Sequence, residues 1–193
     1  MKILKEWDNY TIEPIDESSS ELPYAMRLVW DVFLEFEANE YSDEGVVEFQ
    51  TFIDYDSIRN KIGAGELSML GSFHFGEIVG VIATRAPFHI ALLFVHRTYH
   101  KHGIAKKLIE VALEECAQGV GTMHKQESGG ETADEDALRE GESDEALRAD
   151  TPTEITVNSS PYAVDIYKHM GFEPVDVEQT VNGMRFTPMK KVL

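Results

Sequence analysis

The chain has 193 residues, of which 42% are hydrophobic and 10% aromatic, enough to bury the core of a single domain. Its 17 basic residues against 35 acidic ones give a formal net charge of −18, which disfavours binding to nucleic acid. It has no apolar run of the roughly 20 residues that a membrane-spanning helix needs, no secretory signal, one cysteine (Cys116) and no zinc-type Cys/His spacing. We therefore expect a soluble, cytoplasmic protein without a metal ion and without nucleic-acid or membrane partners.

The first part of the chain predicts two helices. Apolar residues from Ala25 to Phe36 recur at spacings of three and four, which indicates an amphipathic helix over residues 23–37. Ser42 is followed by two acidic residues, a pattern typical of a helix N-cap, and it predicts a second helix that reaches Ile53.

Strand patterns dominate the next segment. Residues 67–74 and 78–85 are predicted strands joined by a hairpin turn at 75–77. Residues 89–95 are almost continuously apolar, as expected of a central strand covered on both faces. A third helix is predicted over residues 103–117.

The last segment predicts a strand over 154–158, a helix over 161–170, and a hairpin of strands 173–180 and 184–190. An Asn-Gly pair at 182–183 marks the hairpin turn. The order of elements indicates an α/β fold in which helices flank a mixed central sheet.

Residues 118–153 differ in composition from the rest of the chain. They contain ten acidic and three basic residues among many Gly, Ser and Thr. So little apolar surface cannot offset the entropy lost on ordering, so we expect a flexible acidic insertion within one domain spanning residues 1–193. A solvated insertion without a specific function and a regulatory or partner-binding segment are both open interpretations.

A phosphate-binding loop is predicted where the central strand leads into the third helix, at residues 100–105 (HKHGIA). The small residues Gly103 and Ala105 allow a phosphate to approach the backbone. The unpaired amides of the first helical turn point at such a group, helped by the positive end of the helix dipole. Three lysines add positive charge at this place, namely Lys101, Lys106 and Lys107.

A second motif follows the acidic segment and strengthens the first. Together the two motifs resemble the GNAT superfamily of acetyl-CoA-dependent N-acetyltransferases over residues 10–192, apart from the insertion. The family's loop, Gln/Arg-x-x-Gly-x-Gly/Ala, and its later signature, Ala-x-x-x-Tyr-x-x-x-Gly-Phe, are matched by His100, Gly103 and Ala105 and by Ala163, Tyr167, Gly171 and Phe172. His100 departs from the family pattern, as does the expansion at 118–153.

The resemblance implies the GNAT fold and acetyl-CoA as the cosubstrate. The end of the central strand would splay from its neighbour and pair with the pantetheine arm, and the loop would hold the pyrophosphate. Asn158 would either contact pantetheine or cap the turn that follows it. The expected cofactor-binding residues are Leu93, Phe94, Val95, His100, Lys101, His102, Gly103, Ile104, Ala105, Lys106 and Asn158.

The resemblance also implies the catalytic groups. Tyr167 would lie near the thioester sulfur, and a phenol is a suitable acid for a thiolate because their pKa values are similar. His89 is the expected general base, since a neutral imidazole accepts a proton at pH 7, although a strand-end histidine bonded to a loop is an equal alternative. Glu35 and Glu37 are alternative bases at a helix end that borders the acceptor pocket in this fold. Together with Glu40 they either bind a cationic amine there or are simply solvated, and both interpretations are open.

These expectations describe an N-acetyltransferase that moves an acetyl group from acetyl-CoA to an amine by direct attack. Two alternatives remain: a non-catalytic domain that binds acyl-CoA, and a transferase for a longer acyl group. The acceptor is expected to be a small-molecule amine or a peptide, and polyamines, aminoglycosides, amino acids and protein lysines all fit. A homodimer is also open.

Overall fold

A computed structural model describes residue 3 and residues 5–117 and 152–193. The predicted flexible insertion at 118–153 lies outside the described residues except for its last two positions. The strands are β1 (Lys5–Trp7), β2 (Tyr10–Pro14), β3 (Ser68–His74), β4 (Glu77–Arg85), β5 (His89–Val95), β6 (Glu154–Ser159), β7 (Glu173–Pro174), β8 (Gln179–Val181) and β9 (Met184–Val192). The α-helices are α1 (Leu22–Phe36), α2 (Asp43–Phe52), α3 (Tyr55–Gly63), α4 (Ile104–Ala117) and α5 (Val164–His169).

The described strands form one mixed sheet in the order β1-β2-β3-β4-β5-β6-β9-β7, with β8 paired to β9. The pair β5 and β6 is parallel, and the other neighbouring pairs are antiparallel. The predicted α/β class with a mixed central sheet flanked by helices is confirmed.

The two faces of the sheet bury separate cores. On one face α1 inserts Val29 and Phe33, and the Phe33 ring stacks on Phe49 of α2 with centroids 4.0 Å apart. On the other face α4 inserts Leu108 and Ile109. Truncation of a buried aromatic such as Phe33 to Ala typically lowers the free energy of unfolding by about 3–5 kcal/mol. Contacts of this strength hold the helices in place against the sheet.

A β-bulge in β5 interrupts the alternation of its side chains. Leu92 pairs with Ala83 and Ile90 with Thr84, so Ala91 is an extra residue in the ladder. In consequence Ala91 and Leu92 both pack on the α1 face, whereas Ile90 packs on the α4 face. The bulge bends the central strand before its second half reaches the end of the sheet.

The parallel strands β5 and β6 separate soon after they meet. Their pairing consists of His89 with Thr156 and Ile90 with Val157. Beyond that point β6 continues to pair with β9 up to Ser159, and β5 continues to pair with β4 up to Val95. The expected splay is therefore present and leaves one backbone edge of the second half of β5 without a strand partner among the described residues.

The N-terminus of α2 touches the turn between β8 and β9. Ser42 caps the helix by accepting a hydrogen bond from the Gly45 amide at 3.2 Å, as predicted. A Cβ at Gly45 would clash with the carbonyl of Gly183, and Gly183 has a φ of +76°. Two glycines thus allow the backbones of distant segments to meet.

Some elements differ from the sequence-based expectation. β1, β2 and α3 were not predicted, and the predicted strand 173–180 is broken into β7 and β8, separated by residues 175–178. The predicted helix over 161–170 begins as a 3-10 turn, Pro161–Ala163, before α5. These differences lie in short elements with little apolar periodicity.

Candidate active site

The loop between β5 and α4 has the shape that an anion-binding loop requires. Lys101 and Gly103 have φ angles of +67° and +80°, and a Cβ at Gly103 would meet nothing within 4 Å. The Lys107 amide donates to the Gly103 carbonyl at 3.0 Å, so the preceding amides of residues 104–106 have no partner from the helix itself. Open space and free amides therefore coincide at this turn.

Two histidines hold this loop from either side. His100 donates from Nε2 to the Val95 carbonyl at 2.8 Å. On the other side Nδ1 of His102 and the Tyr10 hydroxyl are hydrogen-bonded at 3.2 Å. The departure from the family pattern at His100 thus has a structural role, because the side chain ties the loop back to β5.

The positive charge at the loop is smaller than the sequence suggests. Lys107 and Lys106 approach Glu110 with N···O distances of 2.7 Å and 4.0 Å. Lys101 is exposed and has no acidic partner among the described residues. Of the three predicted lysines, Lys101 is therefore the one whose charge an incoming anion would meet.

The expected pantetheine-binding residues lie at the splay. Leu93 and Val95 are half-buried on the α4 face, and Phe94 is buried on the α1 face. Asn158 is exposed near the end of β6. Because the Val95 carbonyl already accepts from His100, a pantetheine arm could pair freely with Leu93 but would share or displace a bond at Val95.

A half-buried carboxylate, Glu37, lies at the end of α1. Burial raises the pKa of Glu37 from 4.5 to about 7, and the nearby Ser160 hydroxyl lowers it. Ser160 also lowers the pKa of the Tyr41 phenol, yet its buried Oγ forms no hydrogen bond of normal geometry with a described residue. The Glu37 carboxyl, whose pKa lies near neutral pH, is thus close to the Ser160 hydroxyl, which forms no hydrogen bond of normal geometry with a described residue.

Three phenols surround this carboxylate. The charge of Glu37 contributes, after burial, to raising the pKa of Tyr41, Tyr162 and Tyr167. Tyr167 itself is buried in α5 and packs edge-on against Phe172, with ring centroids 5.1 Å apart. A raised pKa keeps the Tyr167 phenol neutral at pH 7, so its hydroxyl can donate a hydrogen bond, but it also makes the phenol a weaker acid than a free tyrosine and less closely matched to a thiolate than expected.

An aromatic wall continues from the carboxylate towards solvent. Phe36 stacks on Tyr162, with ring centroids 5.1 Å apart and planes inclined by 30°. On its other side Phe36 approaches the His100 ring at 5.3 Å. The wall, defined as Phe36, Tyr162 and His100, therefore connects the end of α1 to the phosphate loop.

The other acidic residues at the end of α1 are neutralised. Glu35 forms an ion pair with Arg97 at 2.5 Å. Glu40 accepts from Arg185 at 3.4 Å, and Arg185 also reaches Glu178 at 2.8 Å. Glu37 has no ion-pair partner within residues 5–117 and 152–193.

His89 lies at the other end of β5. Its Nδ1 is 2.9 Å from the Thr156 hydroxyl, and burial and the charge of Arg85 lower its pKa to about 4. Six residues of strand, about 20 Å, separate it from Val95 and the loop. The structure thus brings together Tyr167 and Glu37 with the loop, and it leaves His89 outside that group.

Sequence reasoning missed Tyr41, Ser160, Tyr162 and the stacking role of Phe36. Ser160 precedes a proline at the end of a buried strand, which was read only as a turn. The signal for the other residues is a run of aromatic and acidic residues at a helix end, and such runs are common on solvated surfaces. Their convergence depends on two segments that are distant in sequence, residues 36–41 and 160–162.

The residues present fit an acyl-CoA. Open space at Gly103 with free amides suits a pyrophosphate, and the unpaired edge of β5 suits an extended amide-containing arm. Within the described ranges, no group of three or more His, Cys, Asp or Glu side chains could hold a metal ion. No described helix combines the length and apolarity needed to cross a membrane.

Comparison with known families gives one clear match. The family model described as acetyltransferase (GNAT) domain matches residues 37–128 and 138–193. No curated protein matches the sequence.

Solved structures share the fold. A GCN5-related N-acetyltransferase from Rhodopseudomonas palustris is 18% identical, with a TM-score of 0.66 over 98% of this chain and 99% of its own. The PaiA N-acetyltransferase from Thermoplasma acidophilum, solved in complex with coenzyme A, is 14% identical, with a TM-score of 0.64 over 95% and 99%. A GNAT-family acetyltransferase from Staphylococcus aureus Mu50 is 12% identical, with a TM-score of 0.58 over 94% and 98%. At these identities the likeness establishes the fold.

Proposed function

Because the chain belongs to the GNAT acetyltransferase family, as its two motifs predicted, we propose that it transfers an acetyl group from acetyl-CoA to a primary amine. Family membership supports acyl transfer in general. The choice of acetyl as the acyl group and of an amine as the acceptor is our proposal.

The observation that carries this proposal is the position of Glu37. Its carboxyl has a pKa of about 7, and it lies among the phenols of Tyr41, Tyr162 and Tyr167. The aromatic wall joins that cluster to the loop with the open glycine. A base with this pKa is well matched to removing a proton from an amine near neutral pH.

Acetyl-CoA supplies a thioester, and the amine nitrogen forms a C–N bond to its acyl carbon while the C–S bond breaks. Glu37 accepts the proton that the attacking nitrogen loses, directly or through a water molecule. The Tyr167 hydroxyl donates a proton to the departing sulfur and is restored by exchange with solvent. Because the site holds the thioester and the amine next to each other, the acetyl group passes directly between them without a covalent acyl-enzyme intermediate.

Residues of the loop and the strand would hold the donor. The amides of residues 104–106 and the side chain of Lys101 face the pyrophosphate in this assignment, and Gly103 leaves room for it. Leu93 and Val95 pair with the pantetheine arm, and Asn158 lies where the arm passes β6. His102 acts by fixing the loop through Tyr10.

Glu37 is a better candidate base than His89. A histidine with a pKa of about 4 is neutral at pH 7 but holds a proton too weakly to compete with an amine. The Glu37 carboxyl has both the higher proton affinity and the neighbouring acid, Tyr167. We therefore assign the base role to Glu37 and keep a structural role for His89.

Thiol release tests the proposal. Purified full-length protein is mixed with acetyl-CoA and a panel of primary amines, and free thiol is measured with a chromogenic reagent while product mass is followed by mass spectrometry. We expect amine-dependent thiol release and a product heavier by one acetyl group. A raised melting temperature with acetyl-CoA but no product with any amine would support the non-catalytic binding domain. A preference for a longer acyl-CoA would support the other alternative.

The cytoplasmic location and a homodimer stay predictions. Size-exclusion chromatography with light scattering measures the oligomeric state directly. The acceptor is expected to be a small amine or a peptide.

A further inference from the structure

We propose that the acceptor of this site is a small primary amine that carries one positive charge on an aromatic or similarly flat body. This inference rests on the proposed function, because it names the substrate class of the same site. Three observations support it: the aromatic wall, the Glu37 carboxylate, which has no ion pair among the described residues, and the buried Ser160 hydroxyl beside it.

The aromatic wall offers a stacking surface for a flat body. Tyr162 is 39% exposed although it stacks on Phe36, so part of its ring remains open to a ligand. His100 extends the wall on the other side of Phe36. Because Phe36 packs against both other rings, the exposed part of Tyr162 is the surface on which a ligand can stack, and offset stacking there favours a flat acceptor.

The charge arrangement favours one ammonium group. Glu37 is free of ion pairs among the described residues, whereas Glu35 is paired with Arg97. Glu40 is likewise paired with Arg185. A second ammonium on the acceptor would therefore find carboxylates that already pair with an arginine, and it would have to compete with a guanidinium for each of them.

Ser160 indicates where the amine would sit. Ser160 is 8% exposed, and its Oγ lies close enough to Glu37 and Tyr41 to lower the pKa of both, yet it forms no hydrogen bond of normal geometry with a described residue. A buried hydroxyl without a well-aligned partner is costly, and an N–H group of a bound amine would remove that cost. The same hydroxyl faces Glu37, so one nitrogen can donate to both groups.

The length of the acceptor follows from these positions. The nitrogen lies at the buried end, between Glu37 and Ser160, and the flat body lies along Phe36 and Tyr162 towards solvent. Arg97 and Arg185 stand beside that body through their pairs with Glu35 and Glu40. A short linker between nitrogen and ring is enough to connect the two positions.

Three amines test the class with acetyl-CoA as donor: 2-phenylethylamine, 2-cyclohexylethylamine and spermidine. The first two have the same carbon count and charge, but the cyclohexyl ring is puckered and has no π face. We expect kcat/KM for 2-phenylethylamine to exceed that for the cyclohexyl compound about 3- to 10-fold, the equivalent of the stacking energy. Spermidine, with several charges, should be poorer than both.

Two variants test whether the preference for a flat ring arises at the aromatic wall. Tyr162→Ala should raise KM for 2-phenylethylamine about 3- to 10-fold and leave KM for 2-cyclohexylethylamine within about twofold. Tyr24→Ala is the matched control, since Tyr24 is 62% exposed near the start of the same helix that carries Phe36. The control should change neither constant.

The outcomes separate this inference from the function on which it rests. Equal kcat/KM for the two ring compounds, or a preference for spermidine, would overturn the acceptor class while leaving amine acetylation intact. Absence of product with every amine would overturn both. A Tyr162→Ala variant that weakens both ring compounds equally would show that the wall acts through burial alone, and the flat-body argument would fail.

Discussion

Two half-buried ionisable side chains lie at opposite ends of β5, and their surroundings differ. At one end His89 is bonded to Thr156, and burial lowers its pKa to about 4. At the other end burial raises the pKa of Glu37 to about 7, beside a Ser160 hydroxyl that has no partner of its own among the described residues. Burial perturbs both groups, so a shifted pKa alone does not mark a site. Three features distinguish the Glu37 end: the Ser160 hydroxyl without a well-aligned partner, the open loop at Gly103 and the exposed ring of Tyr162.

The largest expected effect is on cofactor binding at the Glu37 end. Gly103→Glu places a side chain and a negative charge where the phosphates would lie, so it should abolish the rise in melting temperature caused by acetyl-CoA. Gly65→Glu is the matched control at the other end of the sheet, because Gly65 also has a positive φ and open space around its Cβ position. The control should keep the full shift. Equal shifts in both variants would mean that the loop does not bind the cofactor.

The next effect separates the two buried groups by turnover. Glu37→Gln keeps the shape but removes the base, and we expect kcat to fall about 10²–10⁴-fold with little change in the acetyl-CoA-induced shift. His89→Gln should retain turnover within about threefold. Steady-state kinetics with an amine found in the panel measures both. The opposite ranking would return the base role to His89.

Tyr167→Phe tests the acid at the same end of the sheet. The ring and its contact with Phe172 remain, and only the hydroxyl that could protonate the thiolate is removed. Because a thiolate is already a fair leaving group, we expect a loss in kcat of roughly 10²-fold, at the lower end of the usual range for acid catalysis. A wild-type rate would leave the tyrosine a packing residue, and loss of acetyl-CoA binding would place its hydroxyl in donor recognition.

The smallest expected effect is on stability, with opposite pH dependence at the two ends. The pKa of Glu37 is higher when folded, so its ionisation destabilises the fold as pH rises from 4.5 to 7, by up to about 3 kcal/mol. The pKa of His89 is lower when folded, so stability is lost as pH falls from 6.5 to 4. Urea denaturation should therefore show Glu37→Gln gaining most at pH 8 and His89→Gln gaining most near pH 4. Parallel pH profiles would contradict this contrast.

Periodic segments could be predicted from the sequence. The stripe from Ala25 to Phe36 matches α1, because one face of that helix is buried, and the hairpin around residues 75–77 matches β3 and β4, which are buried on both faces and separated by a turn. α3 was missed because Ile58 is its one buried side chain, although its Asp54 cap, which accepts from two backbone amides, was visible in the sequence. β1 is too short to show an alternation.

The candidate site could be predicted only in part. The motifs around Gly103 and Tyr167 were recognisable because each lies within a single stretch of chain. The environment of Glu37 was not, since it depends on the end of α1, the turn after β6 and α5 meeting in space. His89 was expected as the base because a neutral imidazole accepts a proton at pH 7, but the pattern of the strand gave no sign that burial and Arg85 lower its pKa to about 4.

The contact between Gly45 and Gly183 bears on how such an enzyme could drift towards other acceptors. Arg185 lies two residues beyond Gly183 and pairs with Glu40 and Glu178. A methyl group at either glycine would clash with the facing segment and force the hairpin turn away from α2. In the proposed site, a substitution at a position that touches no substrate would thus move charged groups near the acceptor. Relatives of this chain would then differ in acceptor preference through changes in backbone spacing as well as through changes in the residues that line the pocket.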